Sequence, residues 1–324
     1  MAYLIYPILF CVICLSSFNI VPPVEIDETE AIMQVFYQIG ANSGYKEKTF
    51  SQEIKKIVGQ IPQPEKMSEE KVEPEIEIIE KTVTYNQKGD SVTNFKDVVL
   101  NNHTSYEINL NGLMENYTPP KRKDSVQILV IHTHATEGYA NTKDNRTTDV
   151  KNNMIEIGDV FSKALKEKGF NVVHDVKLHD YPSYNGSYAN SLKTMNWYME
   201  HYPDIDIVFD LHRDAVGDGE TKTKFVTDIN GMKVAQLMLV VGTNEGGLSH
   251  DTWKENLKFA AGLQSTADNI YPSLMRALDL RRERFNQSVT KQSIIVEVGS
   301  NGNTIEEAKA SGKLLADVIY SYIK

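Results

Sequence analysis

The stretch Gln127–Tyr139, QILVIHTHATEGY, indicates how the rest of the chain folds. Its apolar run ends in His132 and His134, and Glu137 follows three residues after the second histidine. A short, unbroken apolar run predicts a strand that is covered on both faces, as in sheets with helices on each side. The stretch therefore predicts a buried strand whose carboxyl end carries two imidazoles and a carboxylate.

Strand and helix patterns alternate from Val126 onward. Apolar runs such as DIDIVFDLH, QLMLVVGTN and SIIVEVGS are separated by amphipathic segments. One of these, TDVKNNMIEIGDVFSKALKEKGF, is predicted to be a helix capped by Thr148 and ended by Gly169. In the last one, Thr304 and Glu307 are spaced as a capping box. This alternation predicts an α/β fold with a mostly parallel central sheet flanked by helices on both faces.

Composition excludes one class of function. The 324 residues are 41% hydrophobic and 24% charged, which is typical of a globular protein with one or two domains. The formal net charge is −10. A nucleic-acid-binding protein needs a basic face to neutralise phosphates, so nucleic acid is not expected as a partner.

Residues 1–24, MAYLIYPILFCVICLSSFNIVPPV, carry no charged side chain. The apolar run is long enough to span a bilayer as a helix. We predict that it is an uncleaved membrane anchor with the rest of the chain exported, and a cleaved secretory signal is the alternative. The only two cysteines, Cys11 and Cys14, lie in this run, so the exported part would contain no disulfide.

Residues 25–118 are predicted to be an accessory region. A short helical pattern is followed by a polar, acid-rich tract that includes EEKVEPEIEIIEK. Such a composition buries too little apolar surface to fold alone, so we expect a short helix and a largely disordered linker. Residues 119–324 then form the predicted catalytic domain.

Three predicted strands end in residues that carry chemistry. The first ends in His134 and is followed by Glu137, the third ends in DLHRD with His212 at its centre, and the last contains Glu297. Sites in open α/β sheets lie outside the carboxyl ends of the strands, so these side chains are expected to meet.

These residue types favour a catalytic zinc site. Two imidazoles and one carboxylate, with a fourth position left open, are typical ligands of catalytic zinc. Nitrogen and oxygen donors without cysteine suit zinc better than calcium, which takes oxygen ligands. His134, Glu137 and His212 are the predicted ligands. Glu297 is the predicted general base, which takes a proton from water and returns it to the leaving amine. A buried salt bridge with Arg282 is the alternative role for Glu297.

His132 leaves a second assignment open. It shares a strand face with His134 by the period of two, so it is either the ligand in place of His134 or a neighbour behind the site. The spacing of Glu137 from His134 favours His134 as the ligand.

Four further residues are predicted to support the site. Asp210 and Asp214 flank His212 and are expected to orient its imidazole. Arg213 is expected to bind a carboxylate of the substrate. Asn244, which follows the fourth strand in GTNEGG, is expected at the same edge in contact with substrate.

The segments HTHATEGY, DLHRD, GTNEGG, NLKFA and NQSVTKQSIIVEVGSNGNTIEEA resemble the stage II sporulation protein P family. The likeness covers roughly Val126 to Lys324. The resemblance implies a fold like that of zinc amidases and carboxypeptidases. It implies cleavage of the amide between N-acetylmuramic acid and L-alanine in peptidoglycan, together with activity on peptide cross-links.

The resemblance also implies a setting. It places the protein outside the cytoplasm, in the septal space between mother cell and forespore during engulfment, with stage II sporulation proteins D and M as partners. It puts the zinc ligands on His134, Glu137 and His212 and the catalytic carboxylate on Glu297. Two alternatives remain open at this point: a catalytically silent peptidoglycan-binding scaffold and a zinc carboxypeptidase.

Overall fold

A computed structural model of the chain describes residues 76–84, 96, 98–140, 142, 144–218 and 220–323. All of them belong to the unit Glu73–Lys324. The predicted anchor at residues 1–24 and the predicted helix of the accessory region lie outside the described residues. Within the described ranges, no helix is long and apolar enough to cross a membrane.

The described residues contain ten strands, five α-helices and a 3-10 turn at Gln287–Val289. The strands are β1 (Glu77–Lys81), β2 (Leu100–Asn102), β3 (Ile128–Ile131), β4 (Val172–His174), β5 (Ile207–Asp214), β6 (Thr221–Ile229), β7 (Met232–Ala235), β8 (Leu237–Gly242), β9 (Leu278–Arg281) and β10 (Gln292–Ser300). The helices are α1 (Leu110–Met114), α2 (Met154–Glu167), α3 (Ser187–His201), α4 (Trp253–Ile270) and α5 (Ile305–Tyr322).

The central sheet has seven strands in the order β2-β9-β8-β10-β5-β3-β4. Strands β10, β5, β3 and β4 run parallel, whereas β8 is antiparallel to β10 and parallel to β9. Five of the six strand pairs are thus parallel, and the antiparallel pair β8-β10 divides the sheet into two blocks of opposite direction, which the predicted sheet did not include. The difference arises because β6 and β7 form a hairpin after β5, and one residue then leads into β8. A strand parallel to β5 would need a crossover of about a dozen residues at that point.

Helices cover both faces of the sheet, as the sequence predicted. Leu129 and Val208 pack with Met195 of α3 on one face. Val130 and Phe209, which alternate with them, face the larger cluster that includes α2, α4 and α5. Side chains of successive strand residues point to opposite faces, so β3 and β5 are buried on both. This burial explains their unbroken apolar runs.

A second sheet, β1-β6-β7, includes a segment that was predicted to be linker. Strand β1 pairs in parallel with β6, and Glu80 forms ion pairs with Lys224 and Lys233. Strand β2 and helix α1 also lie N-terminal to residue 119. The folded part therefore extends further toward the N-terminus than the predicted boundary. The acidic composition of this segment is compatible with a strand because the same sheet supplies Lys224 from β6 and Lys233 from β7 as partners of Glu80.

Helix α2 begins later than predicted. Its N-cap is Asn153, whose side chain accepts from the backbone N–H of Ile155 at 2.9 Å, and not Thr148. The preceding residues form local turns in which the side chain of Asp149 accepts from the backbone of Lys151. Such side-chain to backbone bonds compete with helix formation.

Candidate active site

The carboxyl ends of β3, β5 and β10 bring four predicted residues together. Glu297 lies beside His212 in the parallel register of β10 and β5. The Nδ1 atom of His212 is 3.7 Å from Oε2 of Glu137. His134, in the turn after β3, has its ring centroid 5.2 Å from that of His212 at an interplanar angle of 87°. Two imidazoles and two carboxylates thus converge at one edge of the sheet.

Several polar atoms of this cluster have no hydrogen-bond partner. His134 Nδ1, His212 Nε2 and Glu297 Oε2 are buried without a hydrogen bond to any residue that the structure describes. His212 Nε2 does lie 3.1 Å from Oδ1 of Asp210, although the angles there do not satisfy a hydrogen bond. Because buried polar atoms normally have partners, these orphaned atoms indicate a ligand.

The protonation states of the cluster reflect burial and mutual charge. Burial, aided by the charge of His212, lowers the pKa of His134 to about 3, so this imidazole is neutral at pH 7. Burial opposes the charged form of His212, but Asp210, Glu137 and Glu297 raise its pKa to about 10. Burial raises the pKa of Glu297 to about 8, against the lowering effect of His212. The carboxyl groups of Asp210, Glu137 and Glu297 around His212 thus favour a positive charge at this place.

The donor set fits zinc by its chemistry. His134, which is already neutral, and His212 supply nitrogen, and Glu137 supplies oxygen. A metal bound to His212 would take the place of a proton on its ring. Across the described ranges, no three His, Cys, Asp or Glu side chains already surround a common point as a metal cage. The fit therefore rests on the orphaned atoms and on the pairwise distances.

Asp210 lies where the sequence predicted it, beside His212. Its Oδ1 accepts from the backbone N–H of Thr133 at 2.7 Å, and its Oδ2 accepts from the Thr133 hydroxyl at 2.6 Å. Burial alone would raise the pKa of Asp210, but the charge of His212 and these hydrogen bonds lower it below its ordinary value. An ionised Asp210 can thus hold the His212 ring in place.

Arg213 and Asp214 have other partners than predicted. Arg213 donates through Nε to the carbonyl of Gly138 at 2.7 Å and through Nη2 to the carbonyl of Asn145 at 2.5 Å. Its guanidinium is buried against the loop after β3, because Arg213 points to the sheet face opposite His212. Asp214 accepts from Nη1 of Arg276 at 2.9 Å and does not contact His212.

His132 is separated from His134. Its Nδ1 is 3.2 Å from the carbonyl of Leu211, its Nε2 is 2.8 Å from Nε2 of His174, and His174 in turn contacts Asp159 at 3.0 Å. The expected shared face fails because residues 133–136 form a turn that carries His134 off the strand. His132 therefore lies beneath α2, as a neighbour of the site.

Asn244 lies at the opposite edge of the sheet. Since β8 is antiparallel to β10, its carboxyl end is next to the amino end of β10. There the Asn244 side chain accepts from the hydroxyl of Tyr106 at 2.9 Å. Asn244 therefore does not lie at the candidate site, contrary to the prediction.

Three residues that sequence reasoning missed surround His134. Asp180 is buried and accepts from the Thr136 hydroxyl and from Nη2 of Arg146, each at 2.8 Å. Tyr184 stacks on His134 with 4.5 Å between ring centroids and 7° between planes, and the Arg146 guanidinium lies 4.7 Å from the Tyr184 centroid. The signal for Asp180 and Tyr184 was their position in the sequence, because HDYPSYNGSY follows β4 at the same edge of the sheet. Arg146 lies in the loop after β3.

Comparisons with known proteins give a family and a set of distant structures. The sequence model of the family described as Stage II sporulation protein P matches residues 39–320. Stage II sporulation protein P of Bacillus subtilis (strain 168) is 26% identical over 220 residues, which are 62% of this chain and 52% of that protein. The chain thus spans about half the length of the curated relative it matches.

Solved structures that resemble the chain include two amidases. The N-acetylmuramoyl-L-alanine amidase from Clostridium difficile 630 is 14% identical with a TM-score of 0.38, and the match covers 61% of this chain and 95% of that one. The N-acetylmuramoyl-L-alanine amidase AmiC2 of Nostoc punctiforme is 16% identical with a TM-score of 0.36, covering 62% and 96%.

Proposed function

The chain belongs to the stage II sporulation protein P family, and on this premise we propose that it is a zinc-dependent peptidoglycan hydrolase. The bond cut is the amide between N-acetylmuramic acid and L-alanine. One observation carries the proposal: His134, Glu137, His212 and Glu297 converge at the carboxyl edge of the sheet with orphaned polar atoms among them. Cleavage of peptide cross-links is a further activity that the family resemblance suggests.

The residues divide into those that hold the metal and one that moves protons. His134, Glu137 and His212 would hold zinc, which when bound supplies a polarising charge for the scissile carbonyl and a more acidic water. Glu297 takes a proton from the attacking water and delivers it to the nitrogen of the departing L-alanine. A carboxylate beside His212 is placed to act as the base in the first step and as the acid in the second.

Other side chains keep this arrangement in place. Asp210, itself held by Thr133, orients the His212 ring. Tyr184 covers one face of His134, and Tyr188 of α3 meets the same ring edge-on at 5.4 Å between centroids. These aromatic rings limit the access of bulk water to His134.

The setting of this activity belongs to the same proposal. By family, the protein acts in the engulfment stage of sporulation, anchored to a membrane and facing the space between mother cell and forespore. Stage II sporulation proteins D and M are its proposed partners. The net charge of −10 is consistent with a partner other than nucleic acid.

The test uses the purified full chain on cell-wall sacculi. The released muropeptides are identified by mass spectrometry, and bound zinc is measured on the same samples. Glu297→Gln should retain zinc and lose cleavage by about 10²–10⁴-fold, the usual contribution of a general base. His212→Ala should lose both zinc and cleavage. Glu306→Gln, an exposed position on α5, is the matched control and should behave as wild type.

Each result has a distinct meaning. A freed lactyl end on the sugar supports the amidase, and a shortened stem on an intact lactyl amide indicates a carboxypeptidase instead. Sacculi that are bound but release no fragments indicate a silent scaffold. Full activity of Glu297→Gln would refute the assigned general base.

A further inference from the structure

A groove of about 550 Å³ lies beside the candidate active site, between α3 and the loop that precedes β10. Its floor and walls include Leu192 of α3 together with Leu248 and Phe285. We call it the α3 groove. Its size falls within the range of about 300–1,000 Å³ that is usual for sites of small ligands.

The α3 groove adjoins the candidate site, and the Tyr188 ring lies between the two. The Tyr188 ring forms one wall of the groove, 5.9 Å from the Phe285 ring between centroids. The same ring meets His134 at 5.4 Å and 87°. A molecule in the groove is therefore one aromatic ring away from a candidate metal ligand.

The wall of the groove is fixed before any ligand arrives. Asn286 donates to the Tyr188 carbonyl at 2.8 Å and to the Ser191 hydroxyl at 2.9 Å, and Ser191 is 2.7 Å from the Thr133 hydroxyl. Phe285 has a φ of 51°, which is an outlier for a bulky residue. Backbone strain of this kind persists where surrounding contacts impose it, and it is concentrated at ligand sites.

The lining combines apolar surface with two charged side chains, Glu283 and Arg284, which form no ion pair with each other. Leu248 is 58% exposed, although it is a large apolar side chain. The Arg284 guanidinium forms no ion pair with a carboxylate of the described residues. It donates to the carbonyls of Phe285 at 3.3 Å and of Ser249 at 3.4 Å. Guanidinium groups bind carboxylates in a bidentate manner, so Arg284 is suited to an acidic group that the protein itself does not supply.

We propose that the α3 groove binds the peptide part of the substrate, with small aliphatic side chains against Leu192, Leu248 and Phe285 and a peptide carboxylate on Arg284. The inference deepens the proposed function and rests on it for the identity of the substrate. It makes Arg284 a specificity-determining residue, because Arg284 would pair with the carboxylate of an acidic peptide and would find no such partner on an amidated peptide.

The experiment compares two probes that differ in charge alone: N-acetylmuramoyl-L-alanyl-D-glutamate and the same compound with both glutamate carboxyl groups amidated. Dissociation constants are measured by calorimetry on the full chain after treatment with a chelator, so that turnover does not interfere. Wild type should prefer the acidic probe by about tenfold, and Arg284→Met should abolish that preference. Arg282→Met is the matched control, since Arg282 is exposed outside the groove and contacts Glu245 at 3.4 Å.

A second variant tests the space and not the charge. Ala189 is exposed on α3 and lines the groove, so Ala189→Trp fills the groove without disturbing the core. It should weaken both probes by about tenfold or more. The inference would be overturned by any of three results. Arg284→Met could keep the preference for the acidic probe, Ala189→Trp could bind both probes as wild type does, or wild type could bind neither probe.

The two proposals fail separately. If the chain with zinc cleaves no sacculi while the Arg284-dependent preference is present, the proposed hydrolase is refuted and the peptide groove stands. If sacculi are cleaved while Arg284→Met and wild type give equal KM values for both probes, the groove is refuted and the hydrolase stands.

Discussion

Replacing Gly158 with alanine tests the packing behind the candidate site. A Cβ at this position of α2 would lie 2.3 Å from Nε2 of His174 and 2.5 Å from Nε2 of His132. The two nitrogens are themselves in contact at 2.8 Å, and His132 is fully buried. The new methyl group therefore has to separate the rings or push α2 away from β3.

Two opposing effects set the magnitude. Alanine in place of glycine in a helix interior stabilises by about 1 kcal/mol. Overpacking of a close-packed core costs about 1–3 kcal/mol, and breaking the hydrogen bond between the two imidazoles costs about 1 kcal/mol more. The free energy of unfolding of Gly158→Ala should therefore fall by about 1–3 kcal/mol. The sign is opposite to the one that helix propensity alone predicts.

Urea unfolding of the full chain, followed by circular dichroism, measures this difference. Gly312→Ala in α5 is the matched control, because a Cβ there meets its nearest atoms, the Ile157 carbonyl oxygen and Phe161 Cβ, at 3.8 Å, an ordinary van der Waals distance. The control should gain about 1 kcal/mol. If Gly158→Ala were as stable as wild type or more stable, while the control gained stability, the packing argument would be refuted.

Three further predictions concern hydrogen bonds and ion pairs. Thr133→Val removes the hydroxyl that donates to buried Asp210 at 2.6 Å, so the free energy of unfolding should fall by about 1.5–3 kcal/mol in urea titrations, whereas Thr133→Ser should retain most of it. Arg146→Met leaves the buried Asp180 carboxylate without its nearest cation and should lower the melting temperature. Adding Asp180→Asn should restore part of the lost melting temperature. A double variant that melts no higher than Arg146→Met would contradict this prediction. Thr304→Ala removes the N-cap of α5 and should cost about 1 kcal/mol in thermal unfolding, while Thr304→Ser should be close to wild type.

The convergence of His134, Glu137, His212 and Glu297 was predictable because each follows or ends a strand in one parallel block. Strand pattern and the rule for carboxyl ends are enough to place such residues at one edge. Asn244 followed a strand with an equally clear apolar pattern, yet it lies at the other edge. An apolar run shows that a strand is buried but carries no information on its direction.

Prediction of individual contacts failed for a related reason. Arg213 was expected to bind a carboxylate of the substrate, but its guanidinium donates to two backbone carbonyls of the loop after β3. No local sequence pattern reveals these contacts. His132 and His134 were expected on one face, but a turn between them separates their rings. Asp180 and Arg146, which hold the opposite side of His134, were not predicted at all.

The sequence by itself contained the alternation of strands and helices, the capping box of α5 and the residue types of the candidate site. These features depend on interactions within a few positions along the chain, where periodicity and capping chemistry operate. Only the tertiary structure decided the opposite direction of β8, the position of His132 beneath α2 and the partners of Arg213. Those outcomes depend on contacts between residues far apart in the chain, where the energies of packing and hydrogen bonding compete, and no short stretch of sequence records the result.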